Sequence, residues 1–413
     1  MGVDAATFFL TDLALLLLLG LVLSLLAKKL NVNNILFLVV AGILLGVFLP
    51  EGAERFSFSS SFLVSLAVLT LVMVIFDGAS RFELRSVNRF SSGALKVTLL
   101  FIFLNILVIA PVSSWLLFGS FSAESVLFAV LLSFVLSGTD PGSVFIMLKS
   151  KTNRVIEFLE VEAILNTPIM VVLPFIILDV LQNVSVGVAD AIAGQFIPLL
   201  QEVVVGVGAG VIVGIVVIKT MRHAYSQRFS PVGLITASLL TYILAENLQG
   251  NGVLAVATLG LFFGNVYVKE KESLQEFNSM LSNSLTVLVF LLIGLIIRVQ
   301  FSLHLFLVSI LIFLLLLATR FTTFSIFFSK GKGDKRFNLK ERLFMACSMP
   351  KGIAVAVVAF SLSVFAIPAS LEPFMDVVVQ LIVLEMVYSI LLSTVIDRYS
   401  QRLIRVKLEE NKQ

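Results

Sequence analysis

The sequence predicts an all-α polytopic membrane protein with 13 transmembrane helices, built as two inverted six-helix repeats with discontinuous helices at spans 5 and 12. The first observation is composition, since 59% of the 413 residues are hydrophobic and only 13% are charged. The second is the recurrence of apolar runs of about 20 residues, which is the length that crosses a hydrocarbon core. The third is a matched pair of Pro-Gly interruptions. Open chains satisfy their backbone in lipid only as helices.

Polar, charged and Gly/Pro clusters divide the chain into the individual spans. The first apolar run fills a whole span and follows no basic segment, so we interpret it as a membrane helix and not as a cleaved signal. The predicted spans are 7–27, 33–49, 60–78, 93–118, 122–147, 155–181, 193–218, 230–249, 251–268, 279–298, 302–329, 340–367 and 372–396.

The distribution of the basic residues tests this count and gives an orientation. Of the 29 Lys and Arg residues, all but Arg55, Arg298, Arg320 and Lys351 lie in or beside loops that follow odd-numbered spans, or in the tail. Because cytoplasmic loops are enriched in Lys and Arg, we expect an external N-terminus and a cytoplasmic C-terminus. We expect an integral protein of the plasma membrane, surrounded by the lipid bilayer.

The domain organisation follows from the position of the middle span. Residues 1–413 are predicted to form a single membrane transport domain, with no soluble regulatory domain. Residues 1–181 form the first repeat, 193–218 a linker helix, and 230–396 the second repeat. Because the linker is one helix, the second repeat has inverted topology. Residues 397–413 form a short cytoplasmic tail.

Two spans are predicted to unwind inside the membrane. Span 5 contains "VLSGTDPGSVF", with Thr139 and Asp140, and span 12 contains "CSMPKGIAVAV", with Lys351. Proline removes a backbone donor and clashes with the preceding turn. The exposed half-helix ends need opposite charges, which Asp140 could supply at N-termini and Lys351 at C-termini. The alternative is a pair of ordinary kinks with structurally paired charges, but the matched positions favour a transport site.

Several polar and charged residues are predicted to share one layer of the membrane. Counted from the cytoplasmic end of each span, their depths are roughly 12 Å for Asp140 and Glu162, 15 Å for Arg320 and Lys351, and 18 Å for Asn166. Such residues are functional candidates by default. A buried carboxylate beside a guanidinium keeps both charged, so Glu162 and Arg320 are predicted to form a structural ion pair.

Asp140 is the better candidate for ion exchange. Its neighbours are the Thr139 hydroxyl and carbonyls freed by unwinding, which are hard oxygen ligands for small cations. Its carboxylate could release a proton and bind a cation instead. Asp77, at the cytoplasmic end of span 3, either reaches the same cavity or is a turn residue. Glu385, in the middle of span 13, is a possible substitute carboxylate.

Other classes of function have little support. Cys347 is the single cysteine, and His223 and His304 are far apart, so a metal site is not expected. No phosphate loop or nucleophile-base pair appears, so an enzyme is not expected. The basic residues follow the topology, so we expect no nucleic acid partner and no cofactor.

The ordered segments along most of the chain resemble those of the cation/proton antiporter superfamily, in particular the NhaP-type sodium/proton antiporters. They are "LNVNNILFLVVAGILLG", "VIFDGASRFEL", "LSGTDPGSV", "LEVEAILNTP", "TYILAENLQGNGVLAVATLGLFFGN", Arg320 and "MPKGIAVAV". The resemblance implies exchange of Na⁺, or K⁺ or Li⁺, for H⁺, with a role in pH homeostasis. It also implies a homodimer, in which a mobile core domain moves against a dimerisation domain in an elevator-like motion.

The resemblance assigns roles to individual residues. The Thr-Asp pair in the unwound span matches Thr139 and Asp140, and the paired glutamate and arginine match Glu162 and Arg320. The basic residue of the broken twelfth span, usually arginine, matches Lys351. The acidic residue after span 3, usually glutamate, matches Asp77.

The chain departs from the family pattern in span 6. The family pattern reads Glu-Gly-Glu-Ser-Leu-Phe-Asn-Asp, and this chain reads "EVEAILNT" from Glu160. Ala163 replaces the serine ligand and Thr167 replaces the ion-exchanging aspartate. We therefore expect either an antiporter in which Asp140 exchanges ions, helped by Asp77 or Glu385, or an uncoupled channel-like pathway or non-exchanging regulatory homologue. The predicted cation/proton-binding residues are Asp140, Thr139, Asp77, Asn166 and Thr167.

Overall fold

The computed structural model describes residues 2–30, 34–48, 58–81, 84–139, 151–152, 154–182, 196–223, 230–267, 270–296, 302–328, 337–363, 367–398 and 407–408. The helices are α1 (Gly2–Leu30), α2 (Asn34–Phe48), α3 (Ser60–Ser80), α4 (Leu84–Phe118), α5 (Ala123–Ser137), α6 (Arg154–Gln182), α7 (Phe196–His223), α8 (Ser230–Asn247), α9 (Gly252–Asn265), α10 (Lys271–Ile296), α11 (Leu303–Phe328), α12 (Leu339–Cys347), α13 (Ile353–Ser363) and α14 (Glu372–Arg398).

The prediction of a polytopic helical membrane protein is confirmed. Within the described ranges, eight helices are long and apolar enough to cross a membrane, and four shorter ones are also apolar. Every predicted span falls on a helix, with α12 and α13 sharing span 12. Among the described residues, only these eight helices meet the criteria of length and apolar composition for a membrane span. The count of thirteen spans therefore stays a prediction, as do the inverted repeats and the domain boundaries.

Two helices begin well before the predicted spans. Helix α4 begins at Leu84 and not at 93, and α10 begins at Lys271 and not at 279. Hydropathy marks only the apolar part of a helix, whereas backbone hydrogen bonding continues into polar turns. In addition, Lys151–Thr152 (β1) and Lys407–Leu408 (β2) form a short antiparallel pair that the all-α prediction did not include.

The structure describes span 5 in part and span 12 almost completely. Helix α5 ends at Ser137, and Gly138 has an extended backbone; residues 140–150, including Asp140, lie outside the described residues. Span 12 consists of two separate helices, since the chain around Lys351 is not helical between α12 and α13. A capping box of Asn338 and Glu341 starts α12. The described part of span 12 is therefore discontinuous and not merely kinked.

The helices pack in two groups. Helices α1–α3 and α7–α10 pack mainly against one another, and we call them the glycine-packed group. A Cβ atom at Gly42 of α2 would lie 2.6 Å from the carbonyl oxygen of Leu291 of α10, and one at Gly206 of α7 would lie 2.7 Å from that of Asn251. Such close approach of backbones requires glycine.

Helices α4–α6 and α11–α14 form the second group, which we call the polar-packed bundle. Its buried side chains include Asn105, Glu162, Arg320, Lys351 and Glu385. The two groups meet mainly where α13 packs against α3, with smaller contacts of α10 with α13, α2 with α14, and α6 with α9. The bundle therefore contains the candidate site, and the glycine-packed group lies beside it.

Candidate functional site

The candidate site lies where the end of α5 meets the middle of α6. The last carbonyl groups of a helix have no partner within it. The side-chain amide of Asn166 donates to the Ser137 carbonyl oxygen at 2.8 Å and to Thr139 Oγ1 at 3.1 Å. Asn166 and Thr139 are buried. The α6 side chain therefore holds the unwound end of α5 in place.

The Thr167 hydroxyl also contacts this unwound end. Its Oγ1 lies 2.8 Å from the carbonyl oxygen of Ala163 and 3.4 Å from that of Thr139, so the two carbonyls compete for one proton. Because the single hydroxyl hydrogen is donated to a carbonyl, the lone pairs of the oxygen are left to accept a hydrogen bond or to bind a cation. The position supplies a neutral oxygen where a carboxylate would supply charge.

The side-chain oxygen of Asn166 is the atom of this cluster that is left to bind a further group. Asn166 is 0% exposed, and its Oδ1 atom has no hydrogen-bond donor among the described residues. A buried oxygen without a donor is destabilised unless a cation, a water molecule or another donor approaches it. Amide, hydroxyl and carbonyl oxygens are ligands of hard cations. The cluster of Asn166, Thr139 and Thr167 could therefore contribute to a cation site.

Glu162 and Arg320 contact each other in two places, beside this cluster. Arg320 Nη2 lies 3.0 Å from Glu162 Oε2, and Nη1 lies 3.4 Å from Oε1; both side chains are 1% exposed. The guanidinium also lies over the rings of Phe101 and Phe324, at 5.1 and 5.2 Å from their centroids. This fixed two-point geometry suits a structural pair, although that role stays a prediction.

Asn105 of α4 is a supporting residue that the sequence analysis missed. Its amide nitrogen donates to Ser137 Oγ at 2.8 Å, and its Oδ1 accepts from Thr319 Oγ1 at 2.7 Å. It therefore joins α4, α5 and α11 next to the site. The signal available in the sequence was a lone amide within the apolar run "LFIFLNILVIA".

Lys351 lies at the carbonyl end of α5. Its ammonium group donates to the carbonyl oxygens of Leu136 and Gly138, the second at 3.3 Å, and Lys351 is 0% exposed. A cation there offsets the negative end of the helix dipole. The contact supports the predicted compensating role of Lys351, while that of Asp140 lies outside the described residues.

Asp77 makes its contacts elsewhere. Its carboxylate lies 3.2 Å from Arg81 Nε and accepts from Ser279 Oγ at 2.8 Å. Within the described part of the chain, these contacts join α3 to α10 and involve no residue of the Asn166 cluster. Glu385 is also outside that cluster. It is buried on α14, and this helix packs against both helices of span 12. Membership of both in a cation site stays a prediction.

A helical bundle with a discontinuous span 12 and a buried ammonium group at the carbonyl end of α5 is typical of a secondary membrane transporter. The chain belongs to the transmembrane sodium/hydrogen exchanger family, whose match covers residues 13–398. This confirms the resemblance inferred from the sequence motifs, and the family is one of transporters and not of enzymes.

Individual relatives agree with the family. The low-affinity Na⁺/H⁺ antiporter NhaS1 of Synechocystis sp. is 29% identical over 140 residues, which are 33% of this chain and 26% of that protein. The Na⁺/H⁺ antiporter ApNhaP of Aphanothece halophytica is 27% identical over 189 residues, 42% of this chain and 34% of that protein. The matched segments thus span about a quarter to a third of these relatives' lengths.

A solved structure has the same fold. The sodium proton antiporter MjNhaP1 from Methanocaldococcus jannaschii superimposes with a TM-score of 0.76 at 19% identity, over 96% of this chain and 98% of that one. At this identity the similarity establishes the fold of a polytopic helical antiporter.

Proposed function

We propose that this protein exchanges a monovalent cation, in the first instance Na⁺, for protons across the plasma membrane by alternating access. The observation that carries the proposal is the buried oxygen cluster at the end of α5, where Oδ1 of Asn166 has no hydrogen-bond partner among the described residues. Family membership supports this function, and relatives are described as Na⁺/H⁺ or K⁺/H⁺ antiporters.

In the proposed cycle, a dehydrated cation binds to oxygens of Asn166 and Thr139 with Asp140 as the charged ligand. A carboxylate that holds either a cation or a proton, but not both, couples the two fluxes. Thr167 contributes a neutral oxygen. Lys351 keeps the carbonyl end of α5 in place while the cation enters and leaves.

The two groups of helices suggest how the site is exposed alternately. The polar-packed bundle would move against the glycine-packed group along the α3–α13 contact. The resemblance to the family favours a homodimer in which the glycine-packed group is the fixed part. We propose the orientation given by the basic residues, with the N-terminus outside and the C-terminus in the cytoplasm.

The alternative function is an uncoupled cation pathway or a non-exchanging regulatory homologue. The absence of a carboxylate at Thr167 favours it. Membership of an exchanger family favours exchange over this alternative.

Ion fluxes in proteoliposomes test the proposal. We expect outward gradients of Na⁺, Li⁺ or K⁺ to drive proton uptake in the native protein, and Asp140→Asn to abolish it. Thr236→Val is the control, because within the described ranges the Thr236 hydroxyl bonds to the carbonyl of Val232 in its own helix, at 2.9 Å, and to no residue of the site. Absence of cation-driven proton flux in the native protein, or native flux in Asp140→Asn, would contradict the assignment.

Thr167→Asp tests the unusual position directly. A carboxylate beside Asn166 would add a second titratable ligand to the cluster. We expect this variant to retain exchange with a changed pH profile and a changed number of protons per cation. An unchanged profile would show that Thr167 lies outside the transport site.

A further inference from the structure

Helix α14 presents a row of polar side chains to the break in span 12. Ser389 Oγ accepts from the Lys351 backbone N–H at 3.1 Å, and Ser393 Oγ donates to the Cys347 carbonyl oxygen at 3.4 Å. Glu385, Ser389 and Ser393 are spaced four residues apart and so share one face of the helix. All three are 0% exposed. The two serines thus bind backbone groups that the break leaves without helical partners.

Glu385 is the exception in this row. Neither of its carboxylate oxygens has a hydrogen-bond donor among the described residues. Glu162, which is equally buried, receives donors from Arg320 and Thr139. A charged carboxylate at membrane depth without donors is strongly disfavoured. Burial without donors therefore favours the neutral, protonated form of Glu385 in this conformation.

The charged groups around Glu385 are few. Helices α2, α5, α11, α12 and α13 pack against α14. From them, within the described ranges, Lys351 at the α12–α13 break interacts electrostatically with Glu385, and Lys351 in turn interacts with Arg320 and Glu162. Glu385 in turn acts electrostatically on Tyr388 of the same helix, whose hydroxyl pairs with Ser309 Oγ at 3.0 Å.

Lys351 has the capacity to stabilise the charged form of Glu385. An ammonium group has three N–H donors, and its two contacts in this conformation are with the carbonyls of Leu136 and Gly138. One donor therefore remains for another partner. When a proton leaves Glu385 for water, the carboxylate that forms has a nearby cation to balance it, and no other reactant is needed.

We propose that Glu385 carries a transported proton, as an acid inside the bundle that ionises against Lys351 when the bundle faces water. This inference rests on the proposed exchange function and adds Glu385 to Asp140 as a second titratable carboxylate, in place of the one missing at Thr167. The proton is bound as a carboxylic O–H bond in one conformation and released to water in the other. The cation occupies the separate oxygen cluster around Asn166.

Glu385→Gln tests the inference with three measurements, because glutamine keeps the shape and cannot ionise. We expect loss of Na⁺-driven proton flux, retention of exchange of labelled Na⁺ for unlabelled Na⁺ at equal pH, and loss of the infrared carbonyl band of a protonated acid. Glu246→Gln is the matched control, since Glu246 is exposed and accepts from the Gly252 N–H at the end of α8. It should keep all three signals.

The outcomes separate this inference from the proposed function. If the native protein shows no Na⁺-driven proton flux, the exchange function is wrong and the inference falls with it. If the native protein exchanges and Glu385→Gln keeps its flux and pH profile, only the inference is overturned.

Glu385→Asp distinguishes proton transfer from a structural role. This variant keeps an acid on a shorter side chain, so we expect exchange to persist with a shifted pH profile. Loss of both proton flux and Na⁺–Na⁺ exchange in the Gln and Asp variants would assign a structural role to Glu385 and overturn the proposal.

Discussion

The glycine-packed group and the polar-packed bundle are held together by different physics. In the first, backbones approach closely at positions such as Gly42 and Gly206. In the second, helices are joined through buried polar side chains such as Glu162, Arg320 and Asn105. Lipid gives helices no hydrophobic drive to associate, so close packing and polar contacts replace it. The strength of glycine-mediated packing does not change when an ion or proton binds, whereas the strength of contacts between polar side chains does.

This difference suggests a division of roles. A group held mainly by close backbone packing, with the Asp77 contacts only at its edge, is suited to be a fixed frame. A bundle whose contacts change when a proton or cation binds is suited to move. Substitutions in the two groups should therefore affect different measurements, which the following predictions exploit.

The largest effect is expected for Arg320→Ala in the bundle. It leaves the Glu162 carboxylate buried without its guanidinium, and breaking a buried pair in this way costs about 3–5 kcal/mol. The change in unfolding free energy can be measured by thermal or denaturant unfolding in detergent. The matched control is Arg154→Ala, because Arg154 lies 3.5 Å from Glu341 in a more exposed pair, with a side chain 32% exposed.

We expect the control to lose about 1 kcal/mol or less. Equal losses in the two variants would contradict the view that burial makes the Glu162–Arg320 pair important for stability.

A smaller effect is expected for Gly42→Ala in the glycine-packed group. The added methyl group would meet the Leu291 carbonyl oxygen at 2.6 Å, and α2 and α10 must separate. Overpacking of this kind costs about 1–3 kcal/mol. Gly233→Ala is the control, since a Cβ atom there meets nothing within 4 Å. A Gly42→Ala protein with native unfolding would show that the two helices are not tightly packed.

Asn105→Leu should weaken the bundle by a similar or smaller amount. The substitution removes the bridge between the Ser137 and Thr319 hydroxyl groups. An unsatisfied buried polar group costs about 1–3 kcal/mol, although both hydroxyls keep bonds to backbone carbonyls. Unfolding measures the loss, and a proteoliposome assay should show slower cation-driven flux. Unchanged stability and flux would remove Asn105 from the support of the site.

The smallest effect is expected for Asp77→Asn. Asp77 is partly exposed and pairs with Arg81 at the edge of the glycine-packed group. Exposed ion pairs contribute about 0–1 kcal/mol, and asparagine still accepts from Ser279. We expect nearly native stability and retained cation-driven proton flux. Abolished flux in a folded protein would instead place Asp77 in the cation site.

Much of the fold could be predicted because hydropathy and charge act locally along the chain. Apolar runs located the helices, and Pro350 predicted the break in span 12. Counting depth from the loops brought Glu162 and Arg320 to one level, where the structure has them in contact. Each of these steps uses only distance along a helix.

The remaining features depend on how the helices are rotated and packed. The Asn105 bridge, and the contacts of Ser389 and Ser393 with span 12, require a particular face of each helix to meet a particular neighbour. The polar first turns of α4 and α10 were missed because hydropathy does not detect polar helix. The close approach of Gly42 to α10 could not be predicted, because the sequence does not show which helix packs against α2.

The central claim is that the polar-packed bundle couples cation movement to proton movement. Its most direct test is the direction of proton flux in proteoliposomes when the Na⁺ gradient is reversed at clamped voltage. The account predicts that proton flux reverses with the gradient and stops at a fixed balance of the two gradients. A proton flux whose direction does not depend on the Na⁺ gradient would contradict it. So would a Na⁺ flux that depends on voltage alone.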